Sequence, residues 1–142
     1  MSIEQAEINS IKALAQASAE HAYAPYSQFK VGAVLVTDTG DVVRGCNVEN
    51  VSYGLSNCAE RTAIFTAIAQ GINPKTIKQV VIYTPSDQVY SPCGACRQVL
   101  AEFLSADTPV ISTCDNGFEQ WTVASLLPNA FHFDINEYRN SK

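Results

Sequence analysis

Apolar residues recur at helical spacing from Ile3 to about Tyr23: Ile3, Ile8, Ile11, Leu14 and Ala15, with Glu, Gln and Lys between them. This predicts a first helix, which Pro25 ends. The pattern then changes. Lys30 to Thr37 (KVGAVLVT) is a nearly continuous apolar run, as in a strand buried on both faces. Asp38-Thr39-Gly40-Asp41 reads as a turn and Asp41 to Asn47 as a second strand, so the two form a hairpin in which Cys46 serves as a small apolar residue. A second helix is predicted from about Cys58 to Gln70, capped by Ser56 or Asn57 and stopped at Gly71, with Ala63, Ile64, Ala67 and Ile68 as its apolar face. Thr76 to Thr84 is a third strand. Ser91 then caps a third helix that Pro92 begins and that runs from about Cys93 to Leu104. Pro109 to Thr113 and Phe118 to Thr122 are short strands joined through an Asp115-Asn116-Gly117 turn. Val123 to Leu127 is a helical turn ended by Pro128, and the last ten residues are too polar to assign.

Helices and strands in this order predict an α/β chain: a three-layer α/β/α sandwich around one mixed five-stranded sheet. With 142 residues, 46% of them hydrophobic, a single domain spanning residues 1–142 is expected, with enough apolar surface for a core. The net charge of −5 and only 9 Lys and Arg argue against a protein that grips a phosphate backbone and favour a small, weakly charged substrate. The first ten residues carry Glu4 and Glu7 and have neither the basic nor the apolar region of a secretory signal. The longest apolar run, Val31 to Val36, is too short to cross a membrane. Five cysteines without a secretion signal predict a reduced, cytoplasmic setting and metal use rather than disulfides. His21 falls near a helix end, where a histidine usually faces solvent.

Two segments carry the chemistry. Asn57-Cys58-Ala59-Glu60-Arg61 supplies C-x-E, and Ser91-Pro92-Cys93-Gly94-Ala95-Cys96-Arg97 supplies P-C-x-x-C. Three thiolates suit a tetrahedral Zn²⁺, and a catalytic zinc keeps three protein ligands and leaves one position for water. Glu60, two residues after the first cysteine, is the natural proton carrier. Together the motifs mark the zinc-dependent nucleobase deaminases. Each has a plainer reading. Asn57 to Glu60 is close to a capping box, in which the glutamate only bonds back to the cap. A lone CxxC fits a zinc ribbon or a redox couple. A ribbon needs further paired ligands, but Cys46 and Cys114 stand alone and the only histidines are His21 and His132. A redox couple leaves the CxE unexplained. Cys93 and Cys96, three apart, fall on one helical turn. Zn²⁺ with three thiolates is a formal monoanion, which blunts its acidity. A guanidinium bonded to a thiolate offsets this, and Arg61 is favoured over Arg97 because it shares a first turn with Cys58.

Five stretches resemble the short, homotetrameric class of cytidine deaminases: PYSQFKVGA from Pro25, GCNVENVSYG from Gly45, NCAERTAI from Asn57, SPCGACRQVL from Ser91 and LLPNAF from Leu126. They occur in family order. The resemblance implies one Zn²⁺ per subunit, held by Cys58, Cys93 and Cys96, with Glu60 as proton shuttle and Arg61 tempering the thiolate charge. It implies that Phe29 packs on the pyrimidine, that Ala59 offers its backbone N–H to the base, and that Asn47 and Glu49 bind the ribose hydroxyls. Tyr53 and Phe131 are expected to reach into a neighbouring subunit's pocket, so that a homotetramer shares its active sites. The implied reaction is hydrolytic deamination of cytidine and 2′-deoxycytidine in pyrimidine salvage. A deaminase of another cytosine-containing nucleoside, such as a nucleoside antibiotic, shares the zinc and Glu60 but need not keep Asn47 and Glu49. A non-catalytic zinc-stabilised interaction domain predicts a closed metal site.

Overall fold

The computed structural model describes residues 3–141. Helix α1 (Ile3–Ala19) leads into strands β1 (Gly32–Thr37) and β2 (Val42–Cys46). Helix α2 (Ala59–Ala69), strand β3 (Ile77–Tyr83) and helix α3 (Gly94–Phe103) follow. Strands β4 (Pro109–Thr113) and β5 (Phe118–Thr122) come next, then helices α4 (Val123–Leu126) and α5 (Ile135–Asn140). The five strands form one sheet in the order β2-β1-β3-β4-β5. Only β3 and β4 are parallel, linked through α3; the other neighbours are antiparallel, so the sheet is mixed.

Alternation along the strands sorts the core into two layers. Val34, Val36, Val81, Tyr83 and Ile111 meet Ile8, Ala15 and Ala19 of α1 on one face. Ala33, Leu35, Val80, Ile82 and Val110 turn to the other, where Ile64 and Ala67 of α2 and Leu100 of α3 cover them. The expected α/β/α sandwich is therefore present, and β1 is buried along its whole length, as its apolar run predicts. Two glycines set the spacing of the layers. A Cβ on Gly32 would lie 1.9 Å from the Ala15 carbonyl oxygen of α1, and one on Gly45 would lie 2.5 Å from the Ala59 oxygen and the Ala63 nitrogen of α2. Each helix backbone rests almost directly on the sheet.

The departures from expectation are shifted element ends and short added elements. Helix α1 stops at Ala19 rather than Tyr23, because the Tyr23 N–H bonds the Asn47 oxygen at 3.0 Å in a bridge between Tyr23 and Val48. A tertiary pairing takes the last predicted turn. Neither Asn57 nor Ser91 caps its helix: the caps are Cys58 on α2 and Cys93 on α3, and Pro92 precedes the cap instead of opening the helix. The C-terminal residues form α5, capped by the Asp134 carboxylate, which accepts from the Asn136 and Glu137 N–H groups. A short 3₁₀ turn at Tyr53–Leu55 was also outside the pattern. No helix among the described residues is long and apolar enough to cross a membrane.

Candidate active site

Helices α2 and α3 begin side by side on the same face of the sheet, and each begins with a cysteine. Cys58 and Cys93 are the caps, and neither spends its sulfur on a capping hydrogen bond. Cys96 projects from the first turn of α3 and is buried. The three sulfurs lie within 4.8 Å of one another, and no fourth His, Cys, Asp or Glu atom joins them among the described residues. Cys58 Sγ and Cys93 Sγ are 3.7 Å apart. Two sulfurs each about 2.3 Å from a tetrahedral zinc are separated by roughly 3.8 Å, so the spacing fits that metal, whereas a disulfide needs about 2 Å. Three protein sulfurs and no fourth ligand is the open pattern of a catalytic zinc rather than the closed one of a structural zinc.

The electrostatics choose between the two arginines. Arg61 Nη2 donates to Cys58 Sγ at 3.2 Å. Arg97 is engaged elsewhere: it donates to the Pro92 oxygen at 2.7 Å, the Leu126 oxygen at 2.9 Å and Ser91 Oγ at 2.7 Å. Arg97 thus fixes the segment around Cys93 to α4, and Arg61 faces the sulfur charge. Hydrogen bonds from Cys96, and then from Arg61 and Cys93, bring the Cys58 thiol down to about 5. The thiol of Cys96 is pushed up by its bond to Cys58, by burial and by the nearby Glu60 carboxylate. Arg61 is held even more firmly protonated, first by its bond to Cys58.

Glu60 occupies the first turn of α2 and is only 6% exposed. Burial raises its carboxyl above the usual range, the Cys58 thiolate adds to this, and Arg61 opposes it. An elevated carboxyl pKa suits a group that must both take and give a proton near neutrality. The capping-box reading of Glu60 does not hold, since Cys58 is the cap and the Asn57 side chain donates to Thr62 Oγ1 at 3.1 Å.

A cavity of about 270 Å³ opens beside Cys58 and brings most of the sequence-predicted residues together. Cys58, Ala59 and Glu60 form one wall, and Phe29, Asn47 and Glu49 form another. Ala59 is the first residue of α2, where a backbone N–H has no acceptor within the helix. Asn47 builds as well as lines: its Nδ2 donates to the Phe29 oxygen and its Oδ1 accepts from the Val31 N–H, both at 2.8 Å. That clamp holds the segment that presents Phe29. Glu49 Oε1 accepts from the Tyr26 N–H at 3.0 Å and the Ser27 N–H at 3.1 Å, and Oε2 accepts from the Ser27 hydroxyl. Those bonds, the Ser27 hydroxyl foremost, hold the Glu49 carboxyl below its ordinary range.

Tyr53 and Phe131 do not line this cavity; they are 79% and 77% exposed on the surface. A third wall was missing from the sequence reading. Ile82 and Thr84, at the end of β3, and Tyr90 and Ser91, just before Pro92, complete the enclosure. The Tyr90 ring meets Phe29 edge-on, with centroids 6.4 Å apart and planes at 87°. The available signal was position: the aromatic stands three residues before Cys93, on the segment that leads into the sulfur triad.

The model of the cytidine and deoxycytidylate deaminase zinc-binding region matches residues 6–112, which include both cysteine segments. A cytidine deaminase of Sporosarcina psychrophila is 44% identical over 126 residues, covering 88% of this chain and 91% of the relative. One from Halalkalibacterium halodurans is 47% identical over 113 residues, covering 79% and 84% respectively. The crystal structure of a cytidine deaminase from Burkholderia pseudomallei superposes with a TM-score of 0.84 at 45% identity, covering 92% of this chain and 100% of that one. With similarity of this extent running through the sulfur triad and the cavity around it, the chain belongs to the cytidine deaminase family of zinc-dependent hydrolases.

Proposed function

We propose that the chain hydrolyses cytidine and 2′-deoxycytidine to the corresponding uridine and ammonia, a step of pyrimidine salvage. The observation that carries this reading is one helix start, at Cys58 and Glu60, that offers both a sulfur to the triad and a buried carboxyl to the same cavity. Cys58, Cys93 and Cys96 are the residues to hold Zn²⁺, with Arg61 offsetting the thiolate charge. When bound, the metal supplies a Lewis acid that makes water a nucleophile at neutral pH.

The remaining roles belong to the chain. Phe29 packs on the pyrimidine and the Ala59 N–H bonds the base, which orients C4 toward the sulfurs. Glu60 takes a proton from the attacking water and passes it to N3 of the ring, then takes the second proton from the new C4 hydroxyl and gives it to the departing amine. C4 gains a bond to oxygen and loses its bond to nitrogen, so one water enters and one ammonia leaves. Asn47 and Glu49 receive the sugar. Each keeps hydrogen-bonding capacity beyond the bonds that hold it in place. The exposure of Tyr53 and Phe131 supports a homotetramer in which each protomer completes its neighbour's site. The acidic charge of −5 supports a free nucleoside in the cytoplasm over a polynucleotide.

The test is loss of cytidine followed by ultraviolet absorbance, with and without a chelator, beside metal analysis. Zinc-dependent turnover is expected. Stoichiometric zinc with no turnover of cytidine or 2′-deoxycytidine would overturn the reading in favour of a non-catalytic zinc domain.

A further inference from the structure

The roles proposed above fix how the base lies, and that orientation assigns a task to Tyr90. In a pyrimidine, N3 and C5 flank C4 on opposite sides. Glu60 serves N3 and Ala59, from the same helix start, serves the same edge. The C5–C6 edge is therefore turned away from α2, toward the wall made by the end of β3 and the segment leading into α3. That wall consists of Ile82, Thr84, Tyr90 and Ser91. Ile82 and Thr84 are buried in the floor, with the Thr84 hydroxyl donating to the Thr113 oxygen at 3.3 Å. Ser91 is small and tied to Arg97. Tyr90 is the largest side chain there and stands half exposed at the mouth. Because its ring is perpendicular to Phe29 and touches it, it cannot act with Phe29 as a parallel stacking platform. It bounds an edge of the base instead.

We propose that Tyr90 is a specificity-determining residue that limits the size of the substituent a cytosine nucleoside can carry at C5. The inference rests on the deaminase reading given above. The contact with Phe29 is made by the ring, so the ring is the barrier and the hydroxyl is dispensable to it. A substituent driven against the ring must push it away from Phe29, and removing the ring relieves that clash.

The experiment compares zinc-loaded wild type with Tyr90→Ala, Tyr90→Ser and Tyr90→Phe on cytidine, 5-methylcytidine and 5-iodocytidine. The readout is kcat/KM for each substituted nucleoside relative to cytidine, with affinities for uridine and 5-methyluridine measured by calorimetry. Both small variants are expected to raise the relative kcat/KM by about tenfold or more, most for iodine, and to shift the product affinities the same way. Tyr90→Phe is expected to keep the wild-type ratio. Cytidine turnover with ratios unchanged within about twofold in Tyr90→Ala and Tyr90→Ser overturns the role of Tyr90 and leaves the deaminase reading standing; so does a Tyr90→Phe variant that matches Tyr90→Ala. Failure of the wild type to deaminate cytidine overturns the deaminase reading and this inference with it.

Discussion

Gly45→Ala tests whether the sheet positions the metal ligands. The change adds one methyl group, yet its Cβ would sit 2.5 Å from the Ala59 oxygen and 2.5 Å from the Ala63 nitrogen, where ordinary contact begins at 3.4 Å. Both atoms are helix backbone and cannot swing aside, so α2 must retreat by about 0.9 Å. Overfilling of this kind costs roughly 1–3 kcal/mol. At about 3 °C per kcal/mol for a chain this size, the midpoint falls by about 3–9 °C. The functional consequence follows from the neighbours of Ala59: Cys58 and Glu60 move with it, and zinc tolerates ligand displacements of only about 0.2 Å. Thermal unfolding by circular dichroism in excess chelator reads the packing cost apart from the metal. Zinc per chain after dialysis reads the site. Gly54→Ala is the control, since a Cβ there meets no atom within 4 Å; its midpoint should stay within about 2 °C of wild type. A Gly45→Ala protein with wild-type midpoint and full zinc occupancy would refute the claim that contact with β2 sets the position of Cys58.

Three further outcomes are expected. Glu60→Gln should keep zinc and lose about 10²- to 10⁴-fold in kcat, because it removes the proton carrier; near-normal turnover in steady-state assay would contradict the mechanism. Cys96→Ala should lose zinc on dialysis, since one sulfur of three is gone, and full occupancy by atomic absorption would remove Cys96 from the ligand set. Ser27→Ala should raise the titration midpoint of Glu49 by carboxyl-resolved NMR, since the Ser27 hydroxyl is the first cause of its depression. A carboxyl pKa lower in the fold than in the open chain stabilises the fold above the ordinary carboxyl range, and that contribution disappears as pH drops through the lowered value. Losing the bond therefore moves this acid sensitivity to higher pH, and an unmoved Glu49 titration would show that Ser27 is not responsible.

What could be read from the chain alone follows from where each signal resides. Strands β4 and β5 match their predicted bounds because proline, Asn-Gly and a change of hydrophobic period mark them locally. The sulfur triad and Glu60 were equally legible, since motif spacing places them on helix starts. Helix ends were less so. Nothing near Tyr23 announces its bridge to Val48, which is 25 positions away. Arg61 does bond Cys58, but what occupies Arg97 could not be read from the chain: its bond to Leu126 depends on the approach of α4, and those to Pro92 and Ser91 on the turn into α3. Asn47 was expected to face the sugar; its grip on Phe29 and Val31 needed the loop in place. Tyr90 escaped notice because an exposed tyrosine looks ordinary until the opposite ring is known.

The two ends of the cavity differ in how freely they can vary. Asn47 holds the peptide groups on either side of Lys30 with one amide, so a replacement there that changes the cavity wall also releases the segment carrying Phe29. Tyr90 meets Phe29 through its ring, on a segment that Arg97 anchors independently. Exchange at position 90 therefore leaves the Phe29 segment tied down, whereas position 47 resembles a keystone whose exchange unties it.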